Sequence, residues 1–377
     1  MAAYTTIDDP TAYFQIELYT GTGSSHARTF DSDTAMQPDL VWIKSRSGGY
    51  QHELYDAVRG VQKRVVTGGT DESAEEKSDS NSLTAFGSDG FTVGSRDQVN
   101  QGGASVKTYK AWCWKAGTTS GIVTTGADTT PTTYSFNQAA GFSIIQYDGS
   151  GSDDTQIAHG LGAIPSVIII KNMVADDDGG VSWAMYHHAN TSAPNTDYLV
   201  LDETYATADS ATRWSDESPT SVLFTCGNSS MVNSSSRDFV GYLWAEKQGY
   251  SKFGKYRGSA SSKKAGTFIY TGFRPAWFMC KCTSSVSSYT SWTIVDSKAS
   301  PYNVMDGQQS YANKDAVEGV RGIGSGDGSA TPSFDFLSNG VKIRDNVDEA
   351  NIAQNFIYMA FAEAPLVNSN GVPNNAR

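Results

Sequence analysis

Three segments of this chain share one outline: "PDLVWIK" at 38–44, "PSVIIIK" at 165–171 and "PAWFMCK" at 275–281. Each opens on proline and closes on lysine six residues later, and the surroundings repeat in the same order. Downstream come the pentads "HELYD" (52–56), "WAMYH" (183–187) and "WTIVD" (292–296). Further on, "FGSDGFTVG" (86–94) and "FLSNGVKIR" (336–344) carry Asp89-Gly90 and Asn339-Gly340, the short-range signal for a tight hairpin. In the middle copy "LFTCGNS" (223–229) holds that place without the dipeptide. The closing segments "YKAWCWKA" (109–116), "FVGYLWAE" (239–246) and "FIYMAFAE" (356–363) put large side chains at matching offsets. These are Tyr109, Trp112 and Trp114, then Phe239, Tyr242 and Trp244, then Phe356, Met359 and Phe361. An opening strand recurs as "FQIELYTG" from Phe14, "FSIIQYDG" from Phe142 and a shorter "FGKYRG" from Phe253. Landmarks in a fixed order mark a triplication.

The repeating segments are short, β-branched or aromatic, and separated by Gly, Ser, Asn and Asp clusters, which reads as antiparallel strands. Charged residues make up only 18% of the chain and aromatics 11%, a balance that suits strands with polar loops better than helices. A period above 100 residues is too long for a solenoid, so each unit is expected to close its own core. The fold class expected is all-β, with three tandem antiparallel β-sandwich repeat domains of jelly-roll or concanavalin-like type. Their bounds are 1–117, 118–249 (the most divergent) and 250–366, followed by a polar tail at 367–377 that would be ordered only by docking. "GTTSGIVTTGADTTPTT" (117–133) is the clearest linker. Pro38, Pro165 and Pro275 stand at strand starts, where a missing N–H does no harm. Lys44, Lys171 and Lys281 are expected where each strand meets solvent, guarding against edge-to-edge pairing. The sharper alternative makes them three equivalent sites for an anionic ligand. The run "VIIIK" lacks alternation and implies a strand covered on both faces.

The formal charge is −12, from 40 acidic and 28 basic residues, so no overall field attracts phosphate backbones and nucleic acid is not an expected partner. No apolar run approaches the roughly 18 residues that span a bilayer, and membrane insertion is not expected. The N-terminus lacks the basic start and apolar block of a secretion signal. Cys113, Cys226, Cys280 and Cys282 form no CxxC pair, which fits synthesis in a reducing cytoplasm.

Enzyme motifs are nearly absent: there is no P-loop, GxSxG, HExxH or dinucleotide fingerprint. His187 and His188 are adjacent in a strand and point to opposite faces, which is poor geometry for one metal. Cys280 and Cys282 share a face, but no second pair lies at ligand spacing, so buried apolar thiols are the plainer reading. The acidic loops at 148–154 and 175–180 lack the spacing of a twelve-residue calcium loop and read as solvated turns. No two carboxylates stand out as a glycosidase pair. No catalytic residue, cofactor or metal is therefore expected. Aromatics in loop-like stretches remain as surface-recognition candidates, namely Tyr50, Tyr205, Trp214, Tyr289 and Tyr302, with Tyr55 beside them.

The segments "QPDLVWIKSR", "DAVRG" (56–60), "FGSDGFTVG" and "YKAWCWKAG" in the first unit resemble a family of marine tailed-phage virion proteins. So do "YTGFRPAWFMCK", "DFLSNGVKIR" and "FIYMAFAEAPLVNSNGVPNNAR" in the third, while the second unit departs most. These proteins carry tandem copies of a domain of uncharacterised function. The resemblance implies a virion component assembled in the host cytoplasm, with no catalytic or binding residues to carry over. It implies a tail fibre or tail-associated adhesive that presents loops to host polysaccharide or protein and contacts other virion proteins, as a homotrimer. A capsid decoration or head-fibre protein is the alternative, and a polysaccharide depolymerase a third reading.

Overall fold

The structure, a computed structural model, describes residues 4–68, 75–174, 182–260, 266–284, 290–305, 307–319, 333–344 and 349–375. The chain is nearly all β, built from antiparallel sheets.

The first unit holds β1 (Phe14–Thr20), β2 (His26–Thr29), β3 (Leu40–Ser45), β4 (His52–Asp56) and β5 (Lys63–Thr67). It continues with β6 (Lys77–Ser78), β7 (Leu83–Gly87), β8 (Gly90–Val93) and β9 (Thr108–Trp114). In the second come β10 (Thr133–Asn137), β11 (Phe142–Asp148), β12 (Thr155–Ala158), β13 (Val167–Asn172) and β14 (Ala184–His187). After these run β15 (Asp197–Val200), β16 (Ala208–Asp209), β17 (Leu223–Cys226) and β18 (Asp238–Trp244). The third has β19 (Ser251–Arg257), β20 (Phe268–Tyr270), β21 (Phe273–Cys282) and β22 (Thr293–Asp296). It ends with β23 (Ser310–Tyr311), β24 (Phe334–Leu337), β25 (Gly340–Ile343) and β26 (Asn355–Pro365).

One strand order recurs three times. The large sheets run β1-β9-β3-β4-β5-β6, β10-β11-β18-β13-β14-β15-β16 and β19-β26-β21-β22-β23. Each has a small partner sheet: β2-β8-β7, β12-β17 and β20-β25-β24. The middle small sheet has lost the hairpin, as its missing dipeptide implies. In the other two the turn falls on Ser88-Asp89 and Ser338-Asn339, and the glycine opens the return strand. Gly90 needs its φ of +121°, because a Cβ there would meet the Arg28 carbonyl oxygen at 2.0 Å.

Apolar side chains between each large sheet and its small partner form three separate clusters, a β-sandwich-like arrangement. A fourth cluster is shared by all three large sheets. The closing strands show how. Tyr109, Ala111 and Cys113 face the first unit's own cluster, whereas Trp112 and Trp114 face the shared one. Phe239 and Leu243 alternate in the same way with Val240, Tyr242 and Trp244, as do Phe356, Tyr358 and Ala360 with Ile357, Met359 and Phe361. The ring of Trp114 meets those of Trp244 at 6.1 Å, Trp277 at 5.9 Å and Phe361 at 5.5 Å, so one indole ties three units together. Burying each such ring contributes up to ~4–6 kcal/mol, from its area and the usual coefficient per unit of apolar surface.

Several expectations are corrected by this arrangement. Each unit has an apolar cluster of its own, and all three contribute to the shared one. Lys44, Lys171 and Lys281 do not meet solvent: all are fully buried, because they continue the face that looks into the shared core. Pro38 and Pro165 precede their strands by two residues, while Pro275 lies inside β21 where the register shifts, a position that tolerates proline. Ser251, not Phe253, is the structural counterpart of Phe14 and Phe142, since it pairs with Phe361 as they pair with Trp114 and Trp244. The linker is not wholly irregular, because its end enters β10 and extends the second large sheet. Both faces of "VIIIK" are covered: Val167 and Ile169 face the shared core, Ile168 and Ile170 the unit's own. The polar tail docks on its own chain, with the Ser369 amide donating to Asp8 at 2.6 Å and Asn374 donating to the carbonyls of Ser338, Ala364 and Pro365.

Candidate functional site: three seams around a shared core

Where one unit meets the next, the same bonds recur. The Glu76 amide donates to the Met173 carbonyl at 2.8 Å, Thr207 to Thr283 at 3.0 Å and Glu318 to Arg46 at 2.9 Å. In each pair the acceptor lies two residues beyond the motif lysine, and the donor follows the equivalent strand of a neighbouring unit, β5, β15 or β23. Unit two thus sits on one, three on two, and one on three. The ring closes within a single chain.

A second set uses the residue that opens the pentad. The Trp183 indole donates to the Val66 carbonyl at 2.8 Å and Trp292 to Val200 at 2.9 Å. His52 replaces the indole at the third seam, beside the Tyr311 backbone, although its Nε2 makes no bond of normal hydrogen-bond geometry among the described residues. Burial and the nearby Lys44 and Lys110 charges hold its pKa well below the ordinary histidine value.

A third set joins the end of the pentad to the closing strand. The Tyr242 hydroxyl donates to Asp56 Oδ2 at 2.7 Å, and Trp112 Nε1 to Asp296 Oδ2 at 3.2 Å. At the seam of units two and three the closing strand offers Met359, which has no donor. There the carboxylate is replaced by His187, which donates through Nε2 to the Tyr358 carbonyl at 3.1 Å. Donor and acceptor have exchanged sides, and no carboxylate is stranded.

Lys44 and Lys281 cap neighbouring loops. Lys44 Nζ donates to the Asp315 carbonyl at 3.0 Å and to that of Tyr50, and Lys281 donates to Thr204 at 3.3 Å and Cys282 at 2.6 Å. Lys171 lies 5.9 Å from the Trp183 ring, and the corresponding first-unit loop falls outside the described residues. Desolvation lowers Lys44 to about 7 and both Lys171 and Lys281 to about 8.

The seam between units one and three has no linker of its own and is joined by ion pairs. Lys110 lies 3.4 Å from Asp296, both fully buried, and 2.6 Å from Glu318, which also accepts from Arg46 at 2.6 Å. Near the chain ends, Tyr4 donates to the Gly272 carbonyl and Thr5 to that of Gln248, each at 2.7 Å.

The recognition candidates scatter. Tyr302 is 81% exposed and Tyr205 61%, both in loops of the large sheets. Tyr50 is half-buried and donates to Gln101 at 2.9 Å. Trp214 is not a surface residue: it is buried in the second unit's core, its indole donating to the Asp197 carbonyl at 3.1 Å. Tyr55 is likewise buried. Tyr289 and the acidic loop at 175–180 lie outside the described residues. The loop at 148–154 is braced by Asn233, which accepts from the Ser150 amide and donates to the Ser152 carbonyl, each at 2.8 Å. His187 and His188 each bond a main-chain carbonyl, and all four cysteines are buried and outside any disulfide. Among the described residues no group of three or more His, Cys, Asp or Glu could hold a metal ion. No helix there is long and apolar enough to cross a membrane.

Sequence reasoning found the closing strands and missed the partners they hold. The ends of the pentads, Asp56, His187 and Asp296, were the available signal, since a polar residue after an apolar strand reads as a solvated end unless a further layer covers it.

Residues 9–365 match the model of a protein family described as a domain of unknown function, DUF7483, and the chain belongs to that family. The match spans all three units together. No curated protein and no solved structure matches the chain.

Proposed function

We propose that this chain is a non-catalytic structural component of a tailed-phage particle, a tail fibre or tail-associated adhesive that offers its loops to the host surface. The observation that carries the proposal is the closed ring. Three jelly-roll-like sandwiches held by three matching seams make a stiff body whose loops are fixed relative to one another, which suits display and load transfer. The sequence resemblance supplies the virion setting. One chain provides the threefold arrangement for which a homotrimer was expected, so one copy per threefold seat is the stoichiometry proposed. Exposed Tyr205 and Tyr302 are the contact residues put forward, each with an apolar ring and a polar tip for sugar or protein surfaces.

The test is adsorption. Particles lacking the protein should bind host cells poorly, and purified protein carrying Tyr205→Ala and Tyr302→Ala should compete less well than the parent. Normal adsorption by particles without it would end the adhesive reading.

The same ring favours a second reading, a capsid decoration protein placed singly on a local threefold position. Locating the protein in intact particles separates the two: a few copies at the tail, or many over the shell.

A further inference from the structure

The three units treat one equivalent sheet edge in three ways. In the large sheets β1, β11 and β19 each bond the closing strand of their unit through alternate residues. Around β1 these include Tyr13, which accepts from Lys115, and Gly21, which donates to Lys107, so the amides and carbonyls of Phe14, Ile16 and Leu18 point away from β9. In unit two the corresponding edge of β11 is covered by β10, with Ile144 opposite Ser135. Unit three covers it with side chains. The Phe253 carbonyl accepts from His188 Nε2 at 2.8 Å and its amide donates to Glu246 Oε2 at 3.4 Å.

Unit one has neither cover. Among the described residues no strand lies outside β1, which ends its sheet. The residue in the place of His188 is Ser297, too short to reach, as their shared backbone bonds show: His188 donates to Ser166 and Ser297 to Ala276. A cavity of about 340 Å³ lies there instead, lined among others by Phe14, Ile16, Ala276, Ser297, Pro301 and Ala362. Phe14 and Ile16 are buried, yet their outward backbone groups have no partner among the described residues. An edge strand with unpaired amides and carbonyls is a template for pairing with another strand.

We propose that the outer edge of β1 receives an extended polypeptide segment of another protein by strand addition, one apolar side chain filling the cavity. The occupant is defined by what the chain itself lays on the equivalent edge: β10, "TYSFN", a strand of hydroxyl and aromatic residues with Ser135 and Phe136 buried. Main-chain bonds supply the affinity and the cavity the selection, as in other sheet-edge recognition. Nothing in this depends on where the protein works, so it stands or falls separately from the virion reading.

The probe is a synthetic peptide of residues 131–138, "PTTYSFNQ", added to the full chain and followed by amide hydrogen exchange. In the free protein the Ile16 amide should exchange much faster than the paired amide of Glu17. Saturable binding should slow Phe14, Ile16 and Leu18 at least tenfold. Ser297→His, which copies the cover of unit three, should weaken binding at least tenfold, whereas Ser297→Ala should not. An Ile16 amide already as slow as Glu17, or no protection at millimolar peptide, or protection only elsewhere, would each overturn the proposal.

Discussion

Lys44, Lys171 and Lys281 are identical in the sequence motif and alike in fate: each is fully buried at a seam. Burial lowers their pKa values to about 7, 8 and 8, against an ordinary 10.5. Above the folded value and below 10.5 the unfolded chain therefore binds more protons than the folded one, and stability rises with pH through that window. Each lysine contributes a slope of up to about 1.4 kcal/mol per pH unit there. Urea unfolding from pH 7 to 10.5 should show the rise, and Lys44→Met should flatten it; an unchanged slope would mean that the ammonium is not desolvated. The exchange of donor and acceptor at His187 is open to a similar check. His187→Asp sets a carboxylate against the Tyr358 carbonyl and should cost ~3–5 kcal/mol in chemical denaturation. Adding Met359→Tyr restores the donor that Tyr242 offers Asp56 and should recover ~1 kcal/mol or more of coupling. The burial of the lysines was not legible in the chain. A lysine after an apolar run reads as a solvated end because periodicity reports the faces of a strand, not the number of layers stacked on them.

At the scale of elements the sequence was far more readable. β3, β13 and β21, the pentads and the closing strands all lie where their apolar runs put them, because strand periodicity and Gly-Asn-Asp turns are local properties. What escaped were features settled by contact with another strand. Phe253 was aligned by its ring, yet pairing places it opposite Met359, in the position of Ile16 opposite Trp112. The glycine dipeptides marked both hairpins, though not which residue takes the unusual backbone. Gly90 is the one that does. Gly90→Ala would drive a Cβ into the Arg28 carbonyl oxygen at 2.0 Å and strain the backbone, costing ~1–3 kcal/mol and lowering the melting temperature. Gly60→Ala, also at positive φ but with nothing within 4 Å of its Cβ, should cost less; equal losses would contradict the register of β2 on β8.

Across the whole molecule three unit cores adjoin a fourth, shared one, and one backbone bond recurs at all three seams around it while the side-chain bonds vary. The aromatic offsets Trp112/Tyr242/Met359 and Trp114/Trp244/Phe361 were visible as a repeat, but their common destination was not, because alternation alone gives no sign that the second face is covered by two other units. Since the ring satisfies its own seams, the protein should sediment as a single 40.4 kDa chain, and a stable trimer would show that the seams serve between chains instead. Closure rests on the seam of units one and three, which no linker spans. The measurement that bears on it most directly is the exchange rate of the Glu318 amide beside those of Glu76 and Thr207 in the native protein. The closed ring requires all three to be protected to a similar degree, each by its partner carbonyl across a seam. A Glu318 amide exchanging like an open loop while the other two stay protected would mean that the chain is an open array of three units and not a ring.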